Sequence, residues 1–346
     1  MSEPAPPSFS STLEYHQALP QPVGPRPSQR YWLHLLLLLA TCFTTLVMGA
    51  RMQYNFEHDR PALSMSDESL PYFPASWAIT QPRLFLAGWP FAAALMLFFL
   101  AHELGHYLCC RYYGIYATLP FFLPLPTPFG TMGAVILIRS RIRTRAALFD
   151  IGIAGPIAGF VVALGALVVS LSWSKPMLAP LDSNDYELGF PRIFELVQRL
   201  LAFLTPMHGA AGLPLERVLL HPVAIAAWVG MFATSLNLLP GGQLDGGHIA
   251  FALSPKAHKY ISWLTIGMLL PMAYYLWMGW WLWAILLQMS SLRHPRVEDW
   301  PRVSGKRAWL AMLAAAVLVL TLTPSPIAHL STPEYVQQFR EQWRGR

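Results

Sequence analysis

An uncharged apolar stretch from Leu84 to Ala101 leads directly into the sequence His102-Glu103-Leu104-Gly105-His106. Its eighteen residues approach the lower limit for a membrane-spanning helix, which needs about 17–25 apolar residues. On a helix, His102 and His106 are four residues apart and therefore share one face. The sequence therefore predicts a transmembrane helix whose end carries two histidines directed to the same point.

The spacing of this H-E-x-x-H motif is typical of zinc binding. Two imidazoles can take two corners of a tetrahedral zinc site, and Glu103 can act as a general base towards water at the metal. The alternative for so short a motif is a solvated helix face. That alternative is weaker at the end of a hydrophobic span, where unpaired His and Glu side chains are costly. We expect one Zn²⁺ ion per chain.

Composition indicates an all-α polytopic membrane protein, because 54% of the 346 residues are hydrophobic and only 12% are charged. The net charge of +6 does not predict nucleic-acid binding, because the basic residues cluster between spans, as the positive-inside rule requires. The three cysteines lie in or beside spans, so no disulfide framework is expected. Cys109 is interpreted as a small buried hydrophobe, with metal ligation as the alternative.

Apolar segments predict about seven transmembrane helices, with a range of six to eight. The predicted spans are 31–50, 84 through the zinc motif, 151–173, 221–239, two short spans within 260–292 that turn near Gly279, and 308–323. We expect Asp150 to cap the third of these helices. The predicted organisation is a disordered tail (1–30), a first span with an outer loop (31–83), a catalytic core (84–255), additional spans (256–323) and a polar tail (324–346).

Residues 111–145 carry five arginines and no acidic residue, which is the strongest orientation signal in the chain. We therefore expect the N-terminus and the active site to face the cytoplasm, in a bacterial inner membrane. Four prolines in 119–129 exclude a helix there, and 131–138 reads as a short strand. These features predict a small cytoplasmic-side β-hairpin or membrane-associated loop near the active site.

A catalytic zinc site takes three protein ligands, so a third must reach the depth of the two histidines. The fourth span ends on the same side of the membrane, and Asp245 follows it between Leu244 and two glycines. The glycines would let the backbone turn tightly near a metal. We expect Asp245 to be the third ligand, and the alternative is an N-cap that opens a cytoplasmic helix.

At this point the chain resembles the site-2 protease family of intramembrane metalloproteases. The resemblance rests on HELGH in one span and NLLPGGQLDGG at the end of a later one, and it covers about residues 84–255. GTMGAVILIRS and ALFDIGIAGPIAG are similar to bacterial and plastid members without a PDZ insert. The resemblance implies that His102, His106 and Asp245 ligate zinc and that Glu103 is the base. It also implies that Asn237 positions substrate or the oxyanion, although an Asn in a span can simply bridge helices.

The expected activity is that of an intramembrane zinc endopeptidase, whose partners are transmembrane protein substrates and the lipid bilayer. Two alternatives stay open. A catalytically silent relative would act as a membrane scaffold. A metal transporter would need several His or acidic residues along a continuous path, and the predicted spans carry few besides the site.

Substrate binding is expected to involve a strand, because an unwound peptide exposes backbone groups that are costly to leave unpaired in a membrane. The stretch 130–138 follows the zinc helix and is rich in β-branched and small residues, so its edge could pair with substrate by β-augmentation. A purely structural hairpin is the alternative. The candidate substrate-binding residues are Gly130, Thr131, Met132, Gly133, Ala134, Val135 and Ile136.

Overall fold

The computed structural model describes residues 30–64, 71–178, 187–204, 213–291, 297, 303, 305–328 and 330–344. Apart from Arg30, the N-terminal tail expected to be disordered lies outside these residues. The helices in the described parts are α1 (Tyr31–Glu57), α2 (Ala75–Thr80), α3 (Pro82–Ala87), α4 (Trp89–Tyr112), α5 (Arg145–Leu171), α6 (Arg192–Leu204), α7 (Pro222–Leu238), α8 (Asp245–Leu253), α9 (Pro255–Tyr275), α10 (Trp280–Ser291), α11 (Lys306–Thr321) and α12 (Thr332–Arg344).

Three stretches are long and apolar enough to cross a membrane, namely Tyr31–Glu57, Pro82–Tyr112 and Arg145–Leu171. The shorter apolar helix Pro222–Leu238 matches the fourth predicted span. A helix also lies at each of the three later positions where a span is predicted, and the turn between α9 and α10 falls near Gly279 as expected. The total of six to eight crossings stays a prediction.

Helix α5 lies at the centre of the fold and packs against α4, α7 and α8. The largest core cluster joins side chains of these helices, among them Leu95 and Phe98 of α4, Leu167 of α5 and Met231 of α7. Large apolar side chains also point outward, as Leu39 of α1 does. Such outward apolar surfaces are expected where helices face lipid rather than water.

The predicted hairpin is present as two short strands, β1 (Phe121–Pro124) and β2 (Thr131–Val135). They pair antiparallel, with Phe121 opposite Val135. At Gly133, where φ is +108°, an added Cβ would lie 3.2 Å from the ring of Phe99 on α4. The hairpin therefore lies directly against the zinc helix. A second pair, β3 (Lys175–Pro176) with β4 (Val218–Leu219), joins two loops far from the motif in sequence.

Two local expectations were wrong. The zinc motif lies inside α4 rather than at its end, because the chain stays apolar and helical as far as Cys110. Asp150 does not cap α5, since the helix begins at Arg145 and the hydroxyl of Thr144 accepts the capping hydrogen bond from the Ala147 N–H. The predicted polar tail, 324–346, contains the polar helix α12, so its composition is as expected.

Arg145 connects the first turn of α5 to the end of α8. Its guanidinium is buried and donates to the carbonyls of Ala252 and Leu253, at 2.8 and 2.7 Å. These carbonyls end α8, so the arginine satisfies groups that the helix leaves unpaired. The contact fixes the start of α5 against the helix that carries Asp245.

Candidate metal centre

His102, His106 and Asp245 converge on one point between α4 and α8. The two histidine Nε2 atoms are 3.1 Å apart, and Asp245 Oδ2 lies 3.4 and 3.3 Å from them. A tetrahedral zinc ion with bonds of about 2.0–2.1 Å separates its ligand atoms by about 3.3 Å. Two buried imidazoles and a carboxylate at these distances fit Zn²⁺. The three residues named from the sequence therefore occupy one site.

The turn after α7 brings Asp245 to this point. An added Cβ would lie 2.1 Å from the Leu238 carbonyl oxygen at Gly246, and 2.5 Å from the Gly241 carbonyl oxygen at Gly247. Only residues without a side chain permit such a close approach of the backbone. The two glycines after Asp245 thus have the role expected of them, which is to let the turn close tightly.

His106 is oriented by a contact that the sequence analysis did not predict. Its Nδ1 donates to the backbone carbonyl of Ile151 on α5, at 2.7 Å, which leaves Nε2 for the metal. An added Cβ at Gly155, one turn further along α5, would lie only 2.1 Å from His106 Nε2. The small residues of α5 indicated close helix packing, but no sequence signal marks a carbonyl as a partner of a ligand.

Glu103 is buried beside the metal ligands, with 6% of its surface exposed. The backbone N–H of Ile136, just after β2, lies close to its carboxylate. The Asn237 amide nitrogen lies 3.3 Å from His102 Nε2. Both residues named from the family resemblance are therefore at the metal centre.

The candidate substrate strand runs past the centre. Met132 and Val135 are exposed, while Thr131 and Ala134 are buried. On the β1 side, the Leu137 N–H donates to the Thr118 hydroxyl, and the Leu137 carbonyl accepts from the Thr118 N–H. Backbone groups alternate between the two edges of a strand, so those of Ile136 and Ala134 face the opposite edge, towards Glu103.

Within the described ranges, His102, His106 and Asp245 form the sole group of three or more metal-binding side chains. Cys109, the alternative ligand, is not part of it. The transporter alternative predicted a path of such groups through the spans, and the described part of the chain shows a single centre instead.

Comparison with known proteins identifies the family. A sequence model described as Peptidase family M50 matches residues 90–274, more than half of the chain. "Probable zinc metalloprotease EGY1, chloroplastic" of Arabidopsis thaliana is 28% identical over 318 residues, covering 87% of this chain and 54% of that protein. The protein of the same name in Oryza sativa subsp. japonica is 28% identical over 317 residues, covering 87% of this chain and 52% of that protein.

The chain is also similar, over a shorter length, to "Probable zinc metalloprotease EGY2, chloroplastic" of Arabidopsis thaliana. The two are 30% identical over 178 residues, which cover 51% of this chain and 30% of that protein. The chain spans about half the length of the EGY1 relatives. Their names refer to chloroplasts and give no support to a bacterial inner membrane. They agree with zinc as the metal, and the match over more than half of the sequence confirms the resemblance: the chain belongs to peptidase family M50.

Proposed function

We propose that this protein is a zinc metallopeptidase that hydrolyses peptide bonds within transmembrane segments of other proteins. The observation that carries the proposal is the convergence of His102, His106 and Asp245 within 3.1–3.4 Å, beside the buried carboxylate of Glu103. This centre lies on a stretch, Pro82–Tyr112, that is long and apolar enough to span a bilayer. A peptidase site at that depth meets substrate spans rather than soluble chains.

Zinc held by the three ligands would polarise the scissile carbonyl and lower the pKa of water at the site. Glu103 accepts a proton from the attacking water as the water oxygen bonds to the carbonyl carbon of the substrate. The same carboxyl then donates that proton to the departing amine nitrogen as the C–N bond breaks. The Ile136 N–H lies close to the carboxylate, and the carbonyl of Ile151 keeps Nδ1 of His106 protonated.

Asn237 has a positioning role in this proposal. Its amide nitrogen lies on the metal side of His102, at 3.3 Å from Nε2, and the side chain is held by helix α7. An amide N–H there can donate to the substrate carbonyl oxygen as negative charge develops on it. A role confined to bridging α4 and α7 is the alternative, and the Asn237→Ala variant would then lose stability more than turnover.

Substrate is held, in this proposal, by the free edge of β2. A helical segment must unwind before cleavage, because its carbonyls are bonded within the helix. The edge formed by Ala134 and Ile136 faces Glu103 and can supply backbone partners for the unwound residues. Gly130 lets the chain before the strand approach α1 closely, since an added Cβ there would lie 2.4 Å from the Thr44 carbonyl oxygen.

The same proposal includes the arrangement in the membrane. Seven helices cross the bilayer, and the hairpin and the metal centre lie towards the arginine-rich side, which the positive-inside rule assigns to the cytoplasm or its equivalent. Partners are then transmembrane proteins and lipid, not nucleic acid. The proposal keeps the five predicted segments of the chain, in which the catalytic core is 84–255 and the additional spans follow it.

The test is cleavage of a single-span reporter by the purified protein in nanodiscs, comparing wild type with Glu103→Gln. Glutamine keeps size and polarity but accepts no proton, so the rate should fall by about 10² to 10⁴ with zinc retained. Glu57→Gln, at an exposed end of α1, is the control and should cleave normally. If zinc-loaded wild type cleaves no reporter, the scaffold function is favoured, and zinc uptake into vesicles would favour transport.

A further inference from the structure

A half-buried ion pair joins the last part of the chain to the central helix α5. Arg307 of α11 donates from Nε to Asp150 Oδ1 at 2.8 Å and from an Nη atom to Asp150 Oδ2 at 2.7 Å. The Tyr113 hydroxyl, at the end of the zinc helix, also donates to Asp150 and accepts from Arg307 at 3.3 Å. A bidentate pair of this kind restrains geometry as well as adding energy. The proposed reaction has no step for any of the three side chains.

These side chains sit next to the contact that orients a metal ligand. Asp150 directly precedes Ile151, whose carbonyl accepts the hydrogen bond from His106 Nδ1 at 2.7 Å. Tyr113 follows the last residue of α4, seven positions after His106. The Tyr113–Asp150 hydrogen bond and the His106–Ile151 hydrogen bond therefore connect the same two helices within about two turns.

The two helices have little freedom to shift without changing the site. An added Cβ at Gly105 of α4 would lie 2.5 Å from the Ala154 carbonyl oxygen, and one at Gly155 of α5 would lie 2.1 Å from His106 Nε2. At such close approach, a small rotation of α5 moves the Ile151 carbonyl relative to the His106 ring. The direction of that carbonyl determines the tautomer and orientation of the ligand.

We propose that Arg307 and Asp150, together with Tyr113, are positioning residues for the metal centre. They hold α5 against the zinc helix in the relative position at which the Ile151 carbonyl orients His106. Helix α11, at the last predicted span, thus controls how firmly zinc is held, although it contributes no ligand. The inference rests on the zinc site of the proposed function and is independent of which bond the enzyme cleaves.

The test measures zinc release from the full-length protein in nanodiscs, using excess chelator, in Arg307→Gln, Arg307→Lys and wild type. Loss of a group that orients a ligand typically costs about 10–100-fold in metal affinity, so Arg307→Gln should release zinc about tenfold faster or more. Arg307→Lys keeps the charge without the bidentate geometry and should be intermediate. Lys306→Gln, at the exposed neighbouring position, is the matched control and should release zinc at the wild-type rate.

The visible spectrum of the Co²⁺-substituted proteins adds a readout that a merely structural pair would not change, because it reports the ligand geometry. A wild-type release rate and cobalt spectrum in Arg307→Gln would overturn the proposal, even with a lowered Tm. If that variant does not fold, Arg307→Lys and Tyr113→Phe decide by the same two measurements. Failure of wild type to cleave a reporter would count against the proposed function alone, since neither readout involves peptide cleavage.

Discussion

The backbone N–H of Ile136 lies close to the carboxylate of Glu103, so the proposed base is next to the residue directly after strand β2. The neighbouring Leu137 pairs with Thr118 on the other edge. The strand therefore has one edge that completes the hairpin and one edge that faces the metal centre. A substrate segment added to the second edge would pass within reach of the base.

Proline substitutions distinguish the two edges. Ala134→Pro removes an N–H from the edge that faces the centre, so we expect it to cut a transmembrane reporter much more slowly than wild type. Short soluble peptides need fewer backbone partners, so their hydrolysis should change less. The measurement is the ratio of the two cleavage rates, with stoichiometric zinc as evidence that the fold is intact.

Two further variants complete this series. Val135→Pro removes an N–H that faces β1, and it should lower stability without changing the ratio of the two rates. Ile136→Pro removes the partner of Glu103 as well, so cleavage of both substrates should fall. Full reporter cleavage by a folded Ala134→Pro protein would leave only the structural role of the hairpin.

A single methyl group at Gly155 should disturb metal binding. The added Cβ would lie 2.1 Å from His106 Nε2, so the imidazole must turn away from the position in which it meets the other ligands. We expect Gly155→Ala to lower zinc affinity by about 10–100-fold while keeping its helix content. Zinc content after dialysis and far-UV circular dichroism are the measurements.

Gly165 on the same helix provides the control. Apart from the neighbouring backbone of the helix itself, no atom of the residues that the structure describes lies within 4 Å of a Cβ added there. Gly165→Ala should therefore bind zinc normally and gain about 0.5–1 kcal/mol of stability, because alanine costs less entropy in a helix. Equal zinc loss in both variants would mean that helix rigidity, rather than the space beside His106, controls the site.

The parts of the site that could be predicted are those with a periodic signal. The i, i+4 spacing of His102 and His106 implies a shared helix face, and the two spans that end on the same side bring Asp245 to the same depth. The helices and the hairpin followed from apolar length and from proline positions. These features depend on local sequence and on membrane thickness, and neither requires knowledge of the structure.

The parts that could not be predicted depend on backbone groups and on distant pairs. Every helical residue has a carbonyl, so nothing distinguishes that of Ile151 as the partner of His106. Arg307 and Asp150 are separated by 157 positions, and their pairing follows only from the packing of α11 on α5. The position of Asp150 before an apolar run predicts a helix cap, because that is the simpler local explanation.

Removal of the third ligand should weaken zinc binding as well as cleavage. Asp245 Oδ2 lies within 3.4 Å of both imidazole nitrogens, and two histidines alone hold zinc weakly. Asp245→Ala is therefore expected to bind less than one zinc per chain after dialysis, measured by metal analysis. Cys109→Ala should keep stoichiometric zinc, because this thiol lies outside the ligand group. The reverse result would make Cys109 the third ligand.

The last prediction concerns pH and the helix that carries Asn237. His221 precedes α7, and its Nδ1 accepts a hydrogen bond from the Val223 N–H at 3.2 Å. Burial between the rings of Phe56 and Trp173 lowers the pKa of His221 from its usual value near 6.5 to about 4. Protonation would also remove the acceptor that caps the helix.

Because the pKa of His221 is lower in the folded protein, the unfolded chain binds an extra proton between about pH 6.5 and pH 4. The contribution of His221 to stability is therefore fully present above pH 6.5 and declines as the pH falls towards 4. His221→Asn keeps a capping oxygen without a titrating group, so its Tm should decline less than that of wild type over this range. His221→Ala should lose about 1 kcal/mol at neutral pH through the missing cap. Thermal unfolding of the three proteins in a non-ionic detergent is the measurement, and parallel Tm profiles for wild type and His221→Asn would contradict the assignment.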